Sequence, residues 1–209
     1  MHASLQGSLF DQADEIRLVP LAGLRRTELG DGAWFDLLPG WLSGADALYE
    51  ELAAGVPWRA ERRRMYEREV DVPRLLAFYG DGDPLPHPAL ARARDDLSRH
   101  YARELGEPFT TAGLCFYRDG RDSVAWHGDR NGRSAREDTM VAILSVGDPR
   151  DLALRPRGGG AATVRLPLGH GDLVVMGGSC QRTWEHAVPK SARAVGPRIS
   201  VQFRTRGVS

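Results

Sequence analysis

Short apolar runs separated by turn residues dominate the chain after Gly106. The runs are TMVAILSV, ATVRL, DLVVM and RISVQF, and glycine, proline and aspartate recur between them. Strands of this length and spacing are typical of an all-β sandwich or barrel, and they disfavour alternating strand–helix units. We therefore expect a β-core over residues 107–209. A chain of 209 residues is long enough to bury such a core within one domain.

Two helices are predicted before this core, one between Gly40 and Gly55 and one between Pro88 and Gly106. Their apolar residues recur at helical spacing, as Leu42, Ala45, Leu48 and Leu52 in the first and as Leu90, Ala93, Leu97, Tyr101 and Leu105 in the second. Pro88 suits a helix start, and Gly55 and Gly106 suit helix ends. Residues 1–106 are thus predicted to be a helical N-terminal part that packs on the β-core as one integrated domain.

The stretch between the helices, RAERRRMYEREVDVPR, is highly charged and has little periodicity. Two interpretations of its arginines stay open, namely contacts to phosphates and a solvated helix face. The arginines concerned are Arg62, Arg63, Arg64 and Arg68.

Charge and hydropathy exclude some classes of partner. The formal net charge is +0, so an acidic partner must be met by a local patch. No apolar run approaches the ~20 residues of a membrane span, and the first residues do not resemble a secretory signal. Two cysteines do not make a disulfide framework. A cytoplasmic monomer without membrane contact is the expectation.

The segment AWHGDRNG contains two candidate metal ligands, His127 and Asp129. In an extended segment, residues two apart point to the same face, so both side chains could reach one ion. His186, which follows an apolar run and a Gly-Gly break, is the third candidate, and His170 competes with it. Two histidines and one carboxylate form the facial triad of non-heme Fe(II) oxygenases.

The run RISVQFR alternates apolar and polar residues and carries Arg198 and Arg204 on its polar face. A half-exposed strand with a solvated polar face is one interpretation. If that face lines the metal cavity instead, its guanidinium groups could hold a dicarboxylate, because buried arginines without an anionic partner are costly. 2-Oxoglutarate is such a dicarboxylate.

Three longer segments surround or accompany these features in the same order along the chain, namely PRLLAFYGD, FYRDGRDSVAWHGD and GDLVVMGGSCQRTWEHAVP. Together with the RxxxxxR strand, they resemble the AlkB family over roughly Pro73 to Arg204. The resemblance implies an α+β fold, with a double-stranded β-helix (jelly-roll) core, N-terminal helices and a nucleotide-recognition lid. It also implies Fe(II) and 2-oxoglutarate as cofactors, with O2 as the oxidant.

The resemblance implies three groups of site residues. They are the iron ligands His127, Asp129 and His186, the 2-oxoglutarate contacts Tyr117, Arg198, Ser200 and Arg204, and the substrate contacts Arg74, Tyr79 and Asn131. Within the second group, Arg198 is expected at the distal carboxylate, and Arg204 nearer the metal, beside Asp129. The sequence departs from the family pattern where Cys115 replaces an asparagine, Ser200 replaces another, and Asn131 replaces an acid.

The implied activity is oxidative dealkylation of N-alkylated bases in DNA or RNA, such as 1-methyladenine and 3-methylcytosine, with release of formaldehyde, succinate and CO2. The base must be flipped out or single-stranded to reach a buried metal. One alternative is an oxygenase that hydroxylates or demethylates a small molecule or a protein side chain. Another is a non-catalytic nucleic-acid-binding module with a structural metal, although such a site normally has four ligands.

Overall fold

The computed structural model describes residues 15–65, 68–129, 132–159 and 164–208. The helices are α1 (Ala45–Gly55), α2 (Pro88–His100), α3 (Ala102–Leu105) and α4 (Cys180–Thr183). The strands are β1 (Arg17–Leu18), β2 (Arg25–Gly30), β3 (Ala33–Leu38), β4 (Leu42–Ser43), β5 (Arg59–Met65), β6 (Arg68–Tyr79), β7 (Phe109–Tyr117), β8 (Val124–His127), β9 (Val141–Gly147), β10 (Arg150–Pro156), β11 (Val164–Leu168), β12 (Asp172–Gly178), β13 (Trp184–Val188) and β14 (Arg198–Thr205).

Two antiparallel sheets form the core of the fold. The major sheet has eight strands in the order β2-β3-β12-β9-β14-β7-β6-β5, and the minor sheet has four in the order β11-β10-β13-β8. Apolar residues of both sheets, including Ile143, Val174 and Leu154, pack together between them. This arrangement confirms the predicted jelly-roll core.

The helices cover the outer face of the major sheet. Leu48 of α1 and Leu90 and Leu97 of α2 are buried against residues of that face. Both predicted helices are present, but the first begins only at Ala45, because Leu42 lies in strand β4. Tyr101 interrupts the second helix, and Gly106 ends it in the left-handed conformation. No helix among the described residues is long and apolar enough to cross a bilayer.

Successive residues of strand β14 alternate between the helix-covered face of the major sheet and the space between the two sheets. Ile199, Val201 and Phe203 face the helix side, where all three are fully buried. The intervening Arg198 and Arg204 point into the space between the sheets, where their side chains bond to Ser145 and Asp129. The polar face of this strand is therefore not a solvated surface.

The charged stretch contributes two antiparallel strands, so its interpretation as a solvated helix face is wrong. Strands β5 and β6 pair antiparallel, with Arg62 opposite Asp71, and β6 then pairs with β7. The N-terminal part supplies β2, β3, β5 and β6, which are four of the eight strands of the major sheet. Residues 1–106 thus differ from the expected helical extension, because strand pairing continues across the proposed boundary.

Candidate metal centre and cosubstrate pocket

His127, Asp129 and His186 meet at one end of the space between the sheets. Cross-strand pairing of β8 with β13 places His127 directly opposite His186, and their ring centroids are 4.2 Å apart. One ligand atom from each of the three residues lies within 4.8 Å of the others. No other such trio of His, Cys, Asp or Glu occurs in the part of the chain that the structure describes.

Local contacts prepare these side chains to bind a cation. The Nδ1 atom of His127 lies 2.9 Å from the carbonyl oxygen of Ala125, so it suits an N–H donor and leaves Nε2 with a lone pair. Burial and the neighbouring His127 lower the pKa of His186 to about 3, so this imidazole is neutral at pH 7. His186 therefore needs to lose no proton before binding a metal ion.

Asp129 is held in its ionised form. Burial alone would raise the pKa of this carboxyl group, but Arg204, which donates a hydrogen bond to it, and the neighbouring His186 and His127 outweigh burial and lower the pKa to about 2. Nε of Arg204 donates to Oδ2 of Asp129 at 2.6 Å, which agrees with the position expected for this arginine. Gln181, a buried residue that sequence reasoning missed, accepts a hydrogen bond from the backbone N–H of Asp129 at 3.0 Å.

Arg198 lies deeper along the same face of β14 and is only 1% exposed. Its Nε donates to Oγ of Ser145 at 2.8 Å, while its Nη1 has no hydrogen-bond partner among the described residues. The guanidinium group lies 5.4 Å from the ring centre of Tyr117. Burial lowers the pKa of Arg198, as expected for a cation without a neighbouring carboxylate. An unpartnered buried N–H is what a bound carboxylate would satisfy.

Two further arginines surround Tyr117. Arg74 donates from Nη1 to the carbonyl oxygen of Ser123 at 3.1 Å, and its buried Nε has no hydrogen-bond partner among the residues described. Arg150, which is 4% exposed, lies with its guanidinium 5.6 Å from the Tyr117 ring centre. The pocket is therefore electropositive. Sequence reasoning missed Arg150 because a single arginine in a turn, DPRD, carries no recognisable signal.

The remaining predicted residues have different outcomes. Ser200 is buried beside Arg198 and accepts a hydrogen bond from Gln202. Tyr79 is not brought to the metal side, because it packs against the helix-side core. His170 is excluded as the third ligand, since its ring lies between the backbone N–H of Gly147 and the carboxylate of Asp46. Asn131 lies outside the described residues.

Comparison with known proteins identifies the family. The model of the family described as "2OG-Fe(II) oxygenase superfamily" matches residues 81–204, a range that contains all three candidate ligands. The chain belongs to this superfamily. Its candidate ligands, two imidazoles and one carboxylate, fit Fe(II), and its unpartnered buried arginine fits a carboxylate of 2-oxoglutarate. Family and donor set together assign Fe(II), 2-oxoglutarate and O2 to this oxygenase-family chain.

Curated relatives place the chain in the AlkB family. "Alpha-ketoglutarate-dependent dioxygenase alkB homolog 3" of Bos taurus is 33% identical over 190 residues, which is 81% of this chain and 65% of the relative. The Homo sapiens protein "DNA oxidative demethylase ALKBH2" is 29% identical over 182 residues, covering 77% of this chain and 68% of the relative. This AlkB-family chain thus spans about 65% of the length of the first relative.

A solved structure shows the same fold. The structure titled "The structure of OsALKBH1" matches with a TM-score of 0.58 and 16% identity, covering 87% of this chain and all 100% of that chain. At this identity the likeness concerns the fold, and it agrees with the two-sheet arrangement described above.

Proposed function

We propose that this chain is an Fe(II)- and 2-oxoglutarate-dependent enzyme that removes alkyl groups from nitrogen atoms of nucleic-acid bases. The observation that carries the oxygenase part is the buried His127–Asp129–His186 trio beside the unpartnered guanidinium of Arg198. A site built only to hold a structural metal would be closed by a fourth protein ligand and would need no such arginine. The relatives named as oxidative demethylases support the choice of substrate.

In this proposal, His127, Asp129 and His186 hold the metal ion, and Arg198 holds the distal carboxylate of 2-oxoglutarate beside Tyr117 and Ser200. Arg204 keeps Asp129 ionised and oriented through its 2.6 Å hydrogen bond. When bound, the metal and cosubstrate supply O2 activation, which oxidises the N-linked carbon so that it leaves as formaldehyde while 2-oxoglutarate is converted to succinate and CO2. Arg74, next to Tyr117, borders the cosubstrate.

The test is the release of succinate and formaldehyde from iron-loaded protein with single-stranded oligonucleotides, each carrying one defined lesion such as 1-methyladenine or 3-methylcytosine. We expect both products in equal amounts from at least one lesion. His186→Ala should abolish both products, and His170→Ala, the matched control, should retain them. If succinate forms but none of the oligonucleotides releases formaldehyde, the alternative of a small-molecule or protein substrate is supported. Absence of both from wild-type protein would refute the oxygenase proposal.

A further inference from the structure

Phe78 is an exposed aromatic residue on the metal side of the major sheet. Among the residues whose side chains the structure describes, which leave out residues 63–70, only Phe78, at 64%, and Val19, at 38%, are exposed large hydrophobic side chains. The neighbours Ala77 and Tyr79 of the same strand pack against the helix-side core. Because successive strand residues point to opposite faces, Phe78 faces the side on which Arg204 and Asp129 lie.

The strand register puts Phe78 close to the metal centre. Gly113 of β7 lies between Phe78 of β6 and Gln202 of β14, since both residues pair with it. A Cβ at Gly113 would lie 2.9 Å from Nη1 of Arg204, so this guanidinium extends over the glycine. Paired residues have Cβ atoms ~5 Å apart, which places the Cβ of Phe78 within roughly 8 Å of the Arg204 side chain.

The same face of the sheet also carries a positive charge beyond Phe78, at the edge of the sheet. Arg59 of the edge strand β5 is exposed and pairs with Leu76, the residue two positions before Phe78. An exposed aromatic ring beside an arginine suits single-stranded nucleic acid, in which bases stack on rings and phosphates meet cations. The metal centre is deeper than Phe78, since Asp129 and His186 are 4% and 6% exposed whereas Phe78 is 64% exposed.

We propose that Phe78 stacks on the base next to the alkylated one, while the alkylated base enters the metal centre. The proposal rests on the proposed function and adds a second, adjacent base to the substrate. Because the stacked base is a neighbour, the contact favours an oligonucleotide over a mononucleotide. It is tolerant of base identity, since every base has a face on which an aromatic ring can stack.

The test compares two substrates, a single-stranded pentanucleotide with a central lesion and the corresponding alkylated mononucleotide. Phe78→Ala should raise KM for the pentanucleotide about tenfold, the size expected for loss of one stacked base. KM for the mononucleotide should stay unchanged. Phe78→Trp should behave as wild type, and Val19→Ala is the matched control for removal of an exposed apolar side chain.

An unchanged KM for the pentanucleotide would overturn the proposal. An equal rise for both substrates would overturn it as well, because Phe78 would then contact the alkylated base itself. A second measurement does not depend on turnover, namely quenching of 2-aminopurine beside the central position of an unmodified pentanucleotide. Quenching by wild type and its loss in Phe78→Ala support stacking even if no lesion is dealkylated, whereas equal quenching by both proteins contradicts it.

Discussion

The arginines of β14 differ in their partners although they share one face of one strand. Arg198 bonds to a neutral serine and keeps its Nη1 group without a hydrogen-bond partner among the described residues, whereas Arg204 bonds to the carboxylate of Asp129. The first is thus available to an incoming anion, and the second is occupied by a candidate metal ligand. Substitution should separate these roles.

We expect Arg198→Lys to raise the apparent KM for 2-oxoglutarate at least about tenfold, with a smaller effect on kcat, because lysine keeps the charge but loses the planar two-pronged geometry. Arg204→Lys should instead lower kcat and weaken metal binding, since Asp129 loses its oriented donor. Titration of 2-oxoglutarate with succinate as the readout, together with Mn(II) binding measured by calorimetry, distinguishes the two. Identical behaviour of the variants would refute the division of roles.

His186 makes the stability of the metal-free protein depend on pH. Its pKa is lowered to about 3 in the folded protein, from 6.5 in an unfolded chain, chiefly because of burial. Between these values the unfolded state binds a proton that the folded state does not, so the free energy of unfolding falls as pH falls below 6.5. Between pH 7.5 and pH 5, this residue alone lowers the free energy of unfolding by about 2 kcal/mol.

Urea unfolding of the metal-free protein at these two pH values measures the effect. His186→Asn cannot be protonated, so we expect its loss of stability over the interval to be smaller than that of wild type by about this amount. The same loss in both proteins would mean that His186 is protonated equally well in the folded and the unfolded state.

Among the strands, Arg150 connects the two elements that carry the imidazoles. At the start of β10, it donates to the carbonyl oxygens of Asp119 at 3.0 Å and Asp122 at 2.9 Å, in the loop before β8. It also donates to the carbonyl oxygen of Pro189 at 2.8 Å, immediately after β13. One buried guanidinium therefore fixes both the entry to the His127 strand and the exit from the His186 strand.

Arg150→Met should lower the free energy of unfolding by about 3 kcal/mol, because three carbonyl groups in buried or partly buried hydrogen bonds lose a charged donor. It should also weaken Mn(II) binding, as the two imidazole-bearing strands lose their common restraint. Arg165→Met in the neighbouring β11 is the matched control. Arg165 is exposed and lies 3.6 Å from Asp151, a surface pair worth at most about 1 kcal/mol. Equal effects of the two substitutions on stability and on metal binding would contradict this role for Arg150.

The elements that could be predicted are those with a hydrophobic period. The alternation in β14 and the spacing in α1 and α2 follow directly from burial of one face. The choice of His186 over His170 as the third ligand came from the resemblance to the AlkB family. The charged stretch has no such period, so its strand conformation comes from the pairing of β5 with β6 and of β6 with β7. The sequence spacing could have predicted that Arg74 and Tyr79 lie on opposite faces of the sheet, because residues five apart in a strand face opposite sides.

At the scale of the whole molecule, the family model and the folding unit do not coincide. The model matches residues 81–204, but β2, β3, β5 and β6 precede this range. These strands and α1 bury large side chains, among them Trp34, Phe35 and Leu48, against the rest of the protein. The matched range alone would therefore leave much of the core exposed.

We expect a fragment of residues 81–209 to lack cooperative thermal unfolding and near-UV circular dichroism, because it cannot bury the apolar surface of β12 and β7. A fragment that begins at Glu15 retains every strand described above and is the control. Calorimetry of both fragments is the measurement. A cooperative transition in the shorter fragment would show that the N-terminal strands are dispensable for folding.

Within the described part of the chain, the arginine-bearing strand β5 is the last strand of its sheet, so one row of its backbone groups has no strand there to pair with. Charged side chains on such a strand hinder its association with the same strand of another molecule. Arg59 and Arg62, both exposed, are therefore placed to oppose such edge-to-edge association. Neutralising them to test nucleic-acid binding should promote self-association as well, so light scattering of each variant is needed before weaker binding is attributed to lost phosphate contacts.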